Sequence, residues 1–247
     1  MKILVSNDDG YLAPGINTLV DHLKKIADVV VVAPDKNKSG SSSSLSLNKG
    51  ITVNKINTML YSVGGTPTDC VHIALTGLIP FKPDMVISGI NDGANMGDDT
   101  IYSGTVGAAM EGFLLGIPSI AVSMGSAEPK YFETAAIVIL DIIDKHSRQI
   151  HKNATLLNVN VPDVPYSKIK GLEITRLGKR YGAQPAIKKA GFNEEDLYWV
   201  GAVGKPNDSG PGTDFFAIMN NYVSITPIKS DLTNHKEMDP IKKWMEL

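Results

Sequence analysis

A single cysteine, Cys70, occurs in 247 residues, which excludes an internal disulfide and a cysteine-based zinc site. It lies in an apolar helical pattern, where an inert core thiol is expected rather than a nucleophile. Histidine is sparse and dispersed: His22, His72, His146, His151 and His235 form no cluster, so a nitrogen- and sulfur-ligated metal centre is not expected. Excess charge is also missing. The formal net charge is -2, which leaves no overall basic field for a nucleic acid polymer. The most apolar stretch, near Ala135 to Leu140, stops at Asp141 and is too short to span a bilayer. The N-terminus runs into a strand without a basic region, a long apolar region or a cleavage site. These absences describe a cytoplasmic protein acting on a small molecule, with neither membrane nor nucleic acid as partner.

Two phosphate-binding signatures are absent as well. A dinucleotide fingerprint would place G-x-G-x-x-G after the first strand, but that turn holds Asp8 and Asp9, which would repel a pyrophosphate unless a cation intervened. A P-loop fails because Ile16-Asn17 stands where Lys and Ser/Thr are needed, although Gly10 and Gly15 have the right separation.

What is present supports a large α/β body: 43% of residues are hydrophobic and 20% charged. Ile3 to Val5 reads as a buried parallel strand, and Pro14 as the first turn of a helix with Ile16, Leu19, Val20 and Leu23 on one face. Asp28 to Ala33 is a second buried strand, completing a right-handed β-α-β unit. Pro34 to Ser44 is a polar loop at the carboxyl end of that strand. It reads as a flexible linker or a site loop, and its place favours the latter.

Leu45 to Val53 and Met59 to Val63 read as weak strands of a β-excursion. Thr66-Pro67-Thr68-Asp69 reads as a helix start, with Asp69 most simply a capping group. Val71 to Ile79 continues as a packed helix. Strands follow at Asp84 to Ser88, Ser119 to Ser123 and Thr155 to Val159, with helices opening at Ser103 and Pro129. Gly107, Ala108, Ala109 and Gly112 let the first of these helices approach a sheet or ligand closely.

The order predicts a three-layer α/β/α, Rossmann-like fold with a doubly wound, mainly parallel sheet. Residues 1–165 form the catalytic core. Residues 166–247 form an extension that is not an independent domain. In it, Leu172 to Arg176, Leu197 to Val203 and Tyr222 to Ile228 read as strands, and Thr233 to Leu247 as a last helix interrupted early by Pro240.

In such a sheet the ligand lies at the carboxyl ends of the strands. Four loops there carry oxygen donors: Asp8 and Asp9, Ser39, Asn91 and Asn95, and Ser103 and Thr105. Adjacent carboxylates repel each other unless a proton or cation lies between them, and hard divalent cations favour such oxygens. Ser103 and Thr105 at a helix start suit an anion, although Ser103 is also a simple N-cap. Receiver domains need a lysine that Lys130 supplies poorly. Aspartyl phosphatases use D-x-D-G, where this register has Asn7-Asp8-Asp9-Gly10. Spacing leaves two readings open: metal-dependent phosphoester hydrolysis, which is favoured, and a non-catalytic, cation-dependent nucleotide or phosphate sensor. Water activated on the cation or one of the aspartates attacks; without a separate histidine base, water is favoured.

The strings VSNDDG, VVAPDKNKSG, GGTPTDC, VISGINDGANMG, YSGTVGAAMEG, LNVNVP and YVSITPIKSDLT occur in that order from Met1 to Thr233. In this ordered set the chain resembles the SurE survival-protein family of 5′/3′-nucleotidases. The resemblance implies a Rossmann-like fold and one divalent ion per subunit, Mg²⁺ or Mn²⁺. It implies hydrolysis of nucleoside monophosphates, with activity on short polyphosphate in some members. It assigns the metal to Asp8, Asp9, Ser39 and Asn91, with Asp8 and Asp9 as the catalytic pair. It assigns phosphate binding to Asn95, Ser103, Gly104 and Thr105. It also implies a homodimer or homotetramer held through C-terminal segments, here from Lys205 onward. The chain departs at Ser41 to Ser44, where some members carry a histidine, and at Asn221, where members usually carry glycine. Asparagine tolerates the positive φ that a glycine there would serve.

Overall fold

The computed structural model describes residues 1–153, 155–190 and 196–246. Its centre is a nine-stranded sheet. The strands are β1 (Lys2–Ser6), β2 (Asp28–Pro34), β3 (Val53–Asn57), β4 (Leu60–Val63), β5 (Met85–Asn91), β6 (Ser119–Met124), β7 (Leu156–Val161), β8 (Leu172–Ile174) and β13 (Val223–Pro227). Their spatial order is β3-β4-β2-β1-β5-β6-β7-β13-β8. Among the described residues only β3 with β4 and β13 with β7 pair antiparallel within this sheet.

The strand sequence alternates faces, and both faces are covered. Ile3 and Val5 join one buried cluster and Leu4 the other. On the first face α1 (Pro14–Leu23) packs with α4 (Phe132–Asn153). On the second, α2 (Pro67–Ile73) packs with α3 (Gly104–Leu114). Burying a side chain such as Ile3 or Leu4 contributes about 2 kcal/mol, so this layered core dominates the fold's stability. Among the described residues, no helix is long and apolar enough to cross a membrane.

From β1 the chain winds outward to β2 on one side and to β5, β6 and β7 on the other. The crevice between β1 and β5, where the winding reverses, is the expected ligand position. Ser6 pairs with Ser88 at that boundary, so the residues after β1 and the last residues of β5 emerge side by side.

Several elements differ from the sequence expectation. Leu45 to Val53 is not a strand. The Ser46 N–H is taken by the Asp69 carboxylate at 2.8 Å, and Leu47 is 84% exposed, so the segment has no core face. The strand is β3 instead. The long helix starts at Phe132, not Pro129, because the N–H groups of Lys130 and Tyr131 donate to Asp163 Oδ1, each at 2.9 Å. After Ile73 the α2 helix widens into a π-turn, Ala74–Leu78. Pro240 does not interrupt α6 (His235–Trp244). That helix is exposed throughout, so water can solvate the carbonyl that proline leaves without a donor.

Among the described residues, the extension also holds elements that were not expected: a 3₁₀ turn (Tyr166–Lys168), β9 (Lys179–Arg180), β10 (Ile187–Ala190), β12 (Pro206–Asp208) and α5 (Asp214–Met219). The predicted strand at Leu197 to Val203 is β11 (Asp196–Trp199), paired antiparallel with β10. Asn221 does adopt a positive φ of 64°.

Candidate active site

Asp8 and Asp9 follow β1 directly. Asp8 is buried, and its Oδ1 accepts a hydrogen bond from Thr105 Oγ1 in the first turn of α3. Burial pushes the Asp8 carboxyl above its ordinary range, opposed by hydrogen bonding from Thr105 and from the Gly104 backbone. Asp9 is more open. Burial, then the neighbouring Asp8 charge, lifts its carboxyl to about 6, partly offset by the Asp92 N–H, which donates to Asp9 Oδ2 at 3.1 Å.

Gly104 explains how α3 comes so close. A Cβ there would lie 2.6 Å from Ser41 Oγ and 2.9 Å from Asp8 Oδ2. Gly107 in the next turn sits against the Ser42 carbonyl, 2.5 Å from a Cβ placed there, and Gly112 against Val86 of β5. The small residues of α3 therefore serve the site at one end and the sheet at the other. Ser103 caps the helix, its Oγ accepting from the Val106 N–H at 3.1 Å.

The serine loop is tied to the acids. Lys38 N–H donates to the Asp8 carbonyl at 2.7 Å, which brings Ser39 beside the pair. Ser39 is exposed, its N–H held by Asn37 Oδ1 at 2.8 Å. Ser42 is bound through its N–H and Oγ to the carbonyls of Tyr102 and Ile101. The capping box predicted at Thr66 and Asp69 is present. It also grips this loop: Asp69 Oδ1 accepts from Ser46 N–H, and Thr66 Oγ1 donates to the Ser44 carbonyl at 2.7 Å.

Asn91 ends β5. Its amide nitrogen donates to the Gly93 carbonyl at 2.8 Å, which leaves Oδ1 as the atom able to serve a cation. Asn95 is gripped from below. Its N–H donates to Asn160 Oδ1 at 2.9 Å, its carbonyl accepts from Asn158 and Asn160, and its side chain donates to Ser123 Oγ at 2.8 Å. Sequence reasoning passed over Asn158 and Asn160 as strand residues. The available signal was two asparagines, two apart, on one face of a buried strand, where unpartnered amides are costly.

The donors suit a hard cation: two carboxylates, an amide oxygen and a hydroxyl. Among the described residues no three His, Cys, Asp or Glu side chains group as a metal site, so neutral oxygens must complete any shell around the acid pair. Ser41 Oγ, buried without a hydrogen-bond partner, lies in the same cradle. Described histidines sit elsewhere. His72 pairs with Glu111 at 2.7 Å, His22 bonds the Thr18 carbonyl, and His146 and His235 are exposed. A cavity of about 480 Å³ opens at the opposite, amino ends of β5 and β6, lined by Leu75, Ile79, Phe81, Leu115 and Ile117 with Thr76 and Lys82, and it holds none of the acids of the site.

The family model described as Survival protein SurE matches residues 3–184. The 5'-nucleotidase SurE of Methylobacillus flagellatus is 55% identical over 247 residues, covering all of both chains. That of Legionella pneumophila (strain Paris) is 54% identical over 245 residues, 99% of this chain and 97% of that one. The crystal structure of the SurE protein from Aquifex aeolicus aligns with a TM-score of 0.86 at 44% identity, covering 99% of this chain and 100% of that one. With a family match over most of its length and relatives similar from end to end, this chain belongs to the SurE family.

Proposed function

We propose that this protein is a metal-dependent nucleotidase, hydrolysing nucleoside 5′- and 3′-monophosphates to nucleoside and phosphate. The observation that carries it is the acid pair at the switch point, with the first turn of α3 laid against Asp8. In this reading Asp8, Asp9, Ser39 and Asn91 would hold one divalent ion per subunit, Mg²⁺ or Mn²⁺. When bound, such an ion neutralises the pair, polarises a phosphoryl oxygen and acidifies water.

The chain's own residues do the remaining work. Thr105 fixes one oxygen of Asp8. Gly104, lacking a side chain, leaves room for a phosphate at the helix start, where the macrodipole favours a dianion. Ser103 Oγ accepts from Val106, so its own O–H is left to donate to the phosphate. Asn95 spends one amide hydrogen on Ser123 and has a second for a phosphoryl oxygen. No described histidine side chain bonds to these residues, so a proton leaving the attacking water goes to one of the carboxylates.

The proposal extends to assembly and place. Residues 166–247 act as an extension of the 1–165 core. β8 and β13 pairing into the core's sheet supports this. A homodimer or homotetramer forms through the C-terminal segments. Exposed Met238, Ile241 and Trp244 on α6 support that contact. A cytoplasmic location suits the unbridged, buried Cys70. The test is phosphate release from a panel of 5′- and 3′-monophosphates with Mn²⁺ or Mg²⁺. Release abolished by EDTA supports the reading; tight binding without release contradicts it.

A further inference from the structure

The extension reaches back to the phosphate side of the site through a buried carboxylate. Asp214 is 0% exposed at the start of α5. Its Oδ2 accepts from the Gly97 N–H at 2.7 Å. Its Oδ1 accepts from the N–H groups of Gly178 at 2.9 Å and Phe215 at 2.8 Å. The two glycines are pressed onto the Phe215 ring. A Cβ on Gly97, where φ is +55°, would lie 2.7 Å from Phe215 Cε2, and one on Gly178 would lie 2.5 Å from Cδ2. A side chain at either position would force the Phe215 ring or the backbone beside it to shift.

Arg180 adds a second tie to the same segment. Its guanidinium stacks on Phe215, 4.9 Å from the ring centroid, and its Nε donates to Asp99 Oδ2 at 2.6 Å. Its backbone N–H donates to Asp98 Oδ2 at 2.8 Å. Three of these bonds, one made by Asp214 and two by Arg180, land on Gly97 to Asp99, in the 3₁₀ turn Gly97–Tyr102 that joins Asn95 to Ser103. Asn158 and Asn160 hold the near end of that connection. A core built for stability alone would favour an apolar residue over a buried carboxylate. What the carboxylate adds here is direction: the Gly178 and Phe215 N–H groups orient it within the extension, and its other oxygen holds the Gly97 N–H on the backbone between Asn95 and Ser103.

We propose that Asp214, assisted by Arg180, is a positioning residue for phosphate binding: it sets Asn95 and Ser103 to Thr105 without touching the metal side. The proposal rests on the functional reading above. Among the described residues no hydrogen bond of Asp214 or Arg180 reaches Asp8, Asp9, Ser39 or Asn91; Thr105 and the Gly104 backbone link the two sides, through Asp8, so a loss centred on Asn95 and Ser103 is distinguishable from a loss of metal binding.

The test uses the full-length enzyme and its Asp214→Asn, Arg180→Gln and Arg180→Lys variants. Inorganic phosphate binding is measured by calorimetry, Mn²⁺ binding by electron paramagnetic resonance, and KM and kcat with a nucleoside monophosphate. Asp214→Asn should weaken phosphate binding and raise KM together by about tenfold, since small misplacements of binding groups are costly, while Mn²⁺ affinity moves less than about twofold. Arg180→Gln, at a half-buried pair that should not endanger folding, should show a smaller effect of the same kind. Arg180→Lys should recover most of it by keeping a donor for Asp99. Unchanged phosphate binding, equal loss of phosphate and Mn²⁺ affinity, or identical Lys and Gln variants would overturn the proposal. A wild-type protein that binds phosphate but releases none from substrates would overturn the nucleotidase reading instead, and the calorimetric comparison would still decide the role of Asp214.

Discussion

The Thr105 hydroxyl donates to the Asp8 carboxylate although the two residues lie 97 positions apart. This bond joins the start of α3 to the tip of β1 and holds the first turn of the helix against the acid pair. Thr105→Val keeps the shape but leaves a buried carboxylate one donor short, a loss of about 1–3 kcal/mol. Thr105→Ser keeps the donor. The valine variant should lose activity by about tenfold or more, and the serine variant should retain most of it. Steady-state kinetics on the pair checks this.

Asp9→Asn removes half the charge that would hold a cation. Turnover should fall by about a thousandfold, the rate equivalent of several kcal/mol of lost transition-state stabilisation. The fold should survive, because the change relieves repulsion with Asp8. Phosphate release alongside circular dichroism and a melting curve checks both halves.

Stability of the metal-free protein should depend on pH in a defined direction. The Asp9 carboxyl sits at about 6 in the folded chain, lifted by burial and by Asp8. In the unfolded chain it sits near its ordinary value of about 3.9. Its contribution is therefore fully present below about pH 4 and is lost as pH rises through about 6. A divalent ion removes that loss, so Mn²⁺ should raise the melting temperature more near pH 7.5 than near pH 5. Asp9→Asn should flatten the difference.

Asp69 has the opposite sign. Burial pushes its carboxyl up, but hydrogen bonds from Ser46 and Thr66 outweigh this and hold it below the ordinary range. Its contribution is present above about pH 4 and lost as pH falls through the lowered folded value. Asp69→Asn or Thr66→Ala should cost about 1 kcal/mol for the lost cap. Either should also speed hydrogen exchange at the Ser46 amide, because the cap doubles as the serine loop's anchor.

The parts legible in the sequence are those whose causes are contiguous. Thr66, Pro67 and Asp69 carry a whole capping box within one turn, and Ile16, Leu19, Val20 and Leu23 carry a whole helix face. The site loops were legible because an open parallel sheet delivers them to one edge. Roles set by distant partners were not. Thr105 reads locally as a phosphate group but spends its hydroxyl on Asp8. Asp214 carries no local signal, and its role shows only when Gly97 and Gly178 are brought to it. Leu45 to Val53 looks like a strand because the competing acceptor, Asp69, lies well beyond the segment.

The most direct test is anomalous diffraction at the manganese edge from crystals of the active enzyme grown with Mn²⁺. One peak per subunit is expected at the tip of β1, contacted by oxygens of both Asp8 and Asp9 and completed by Ser39 and Asn91. A tip without a peak, its two acids turned away from each other while the same preparation releases phosphate, would contradict it.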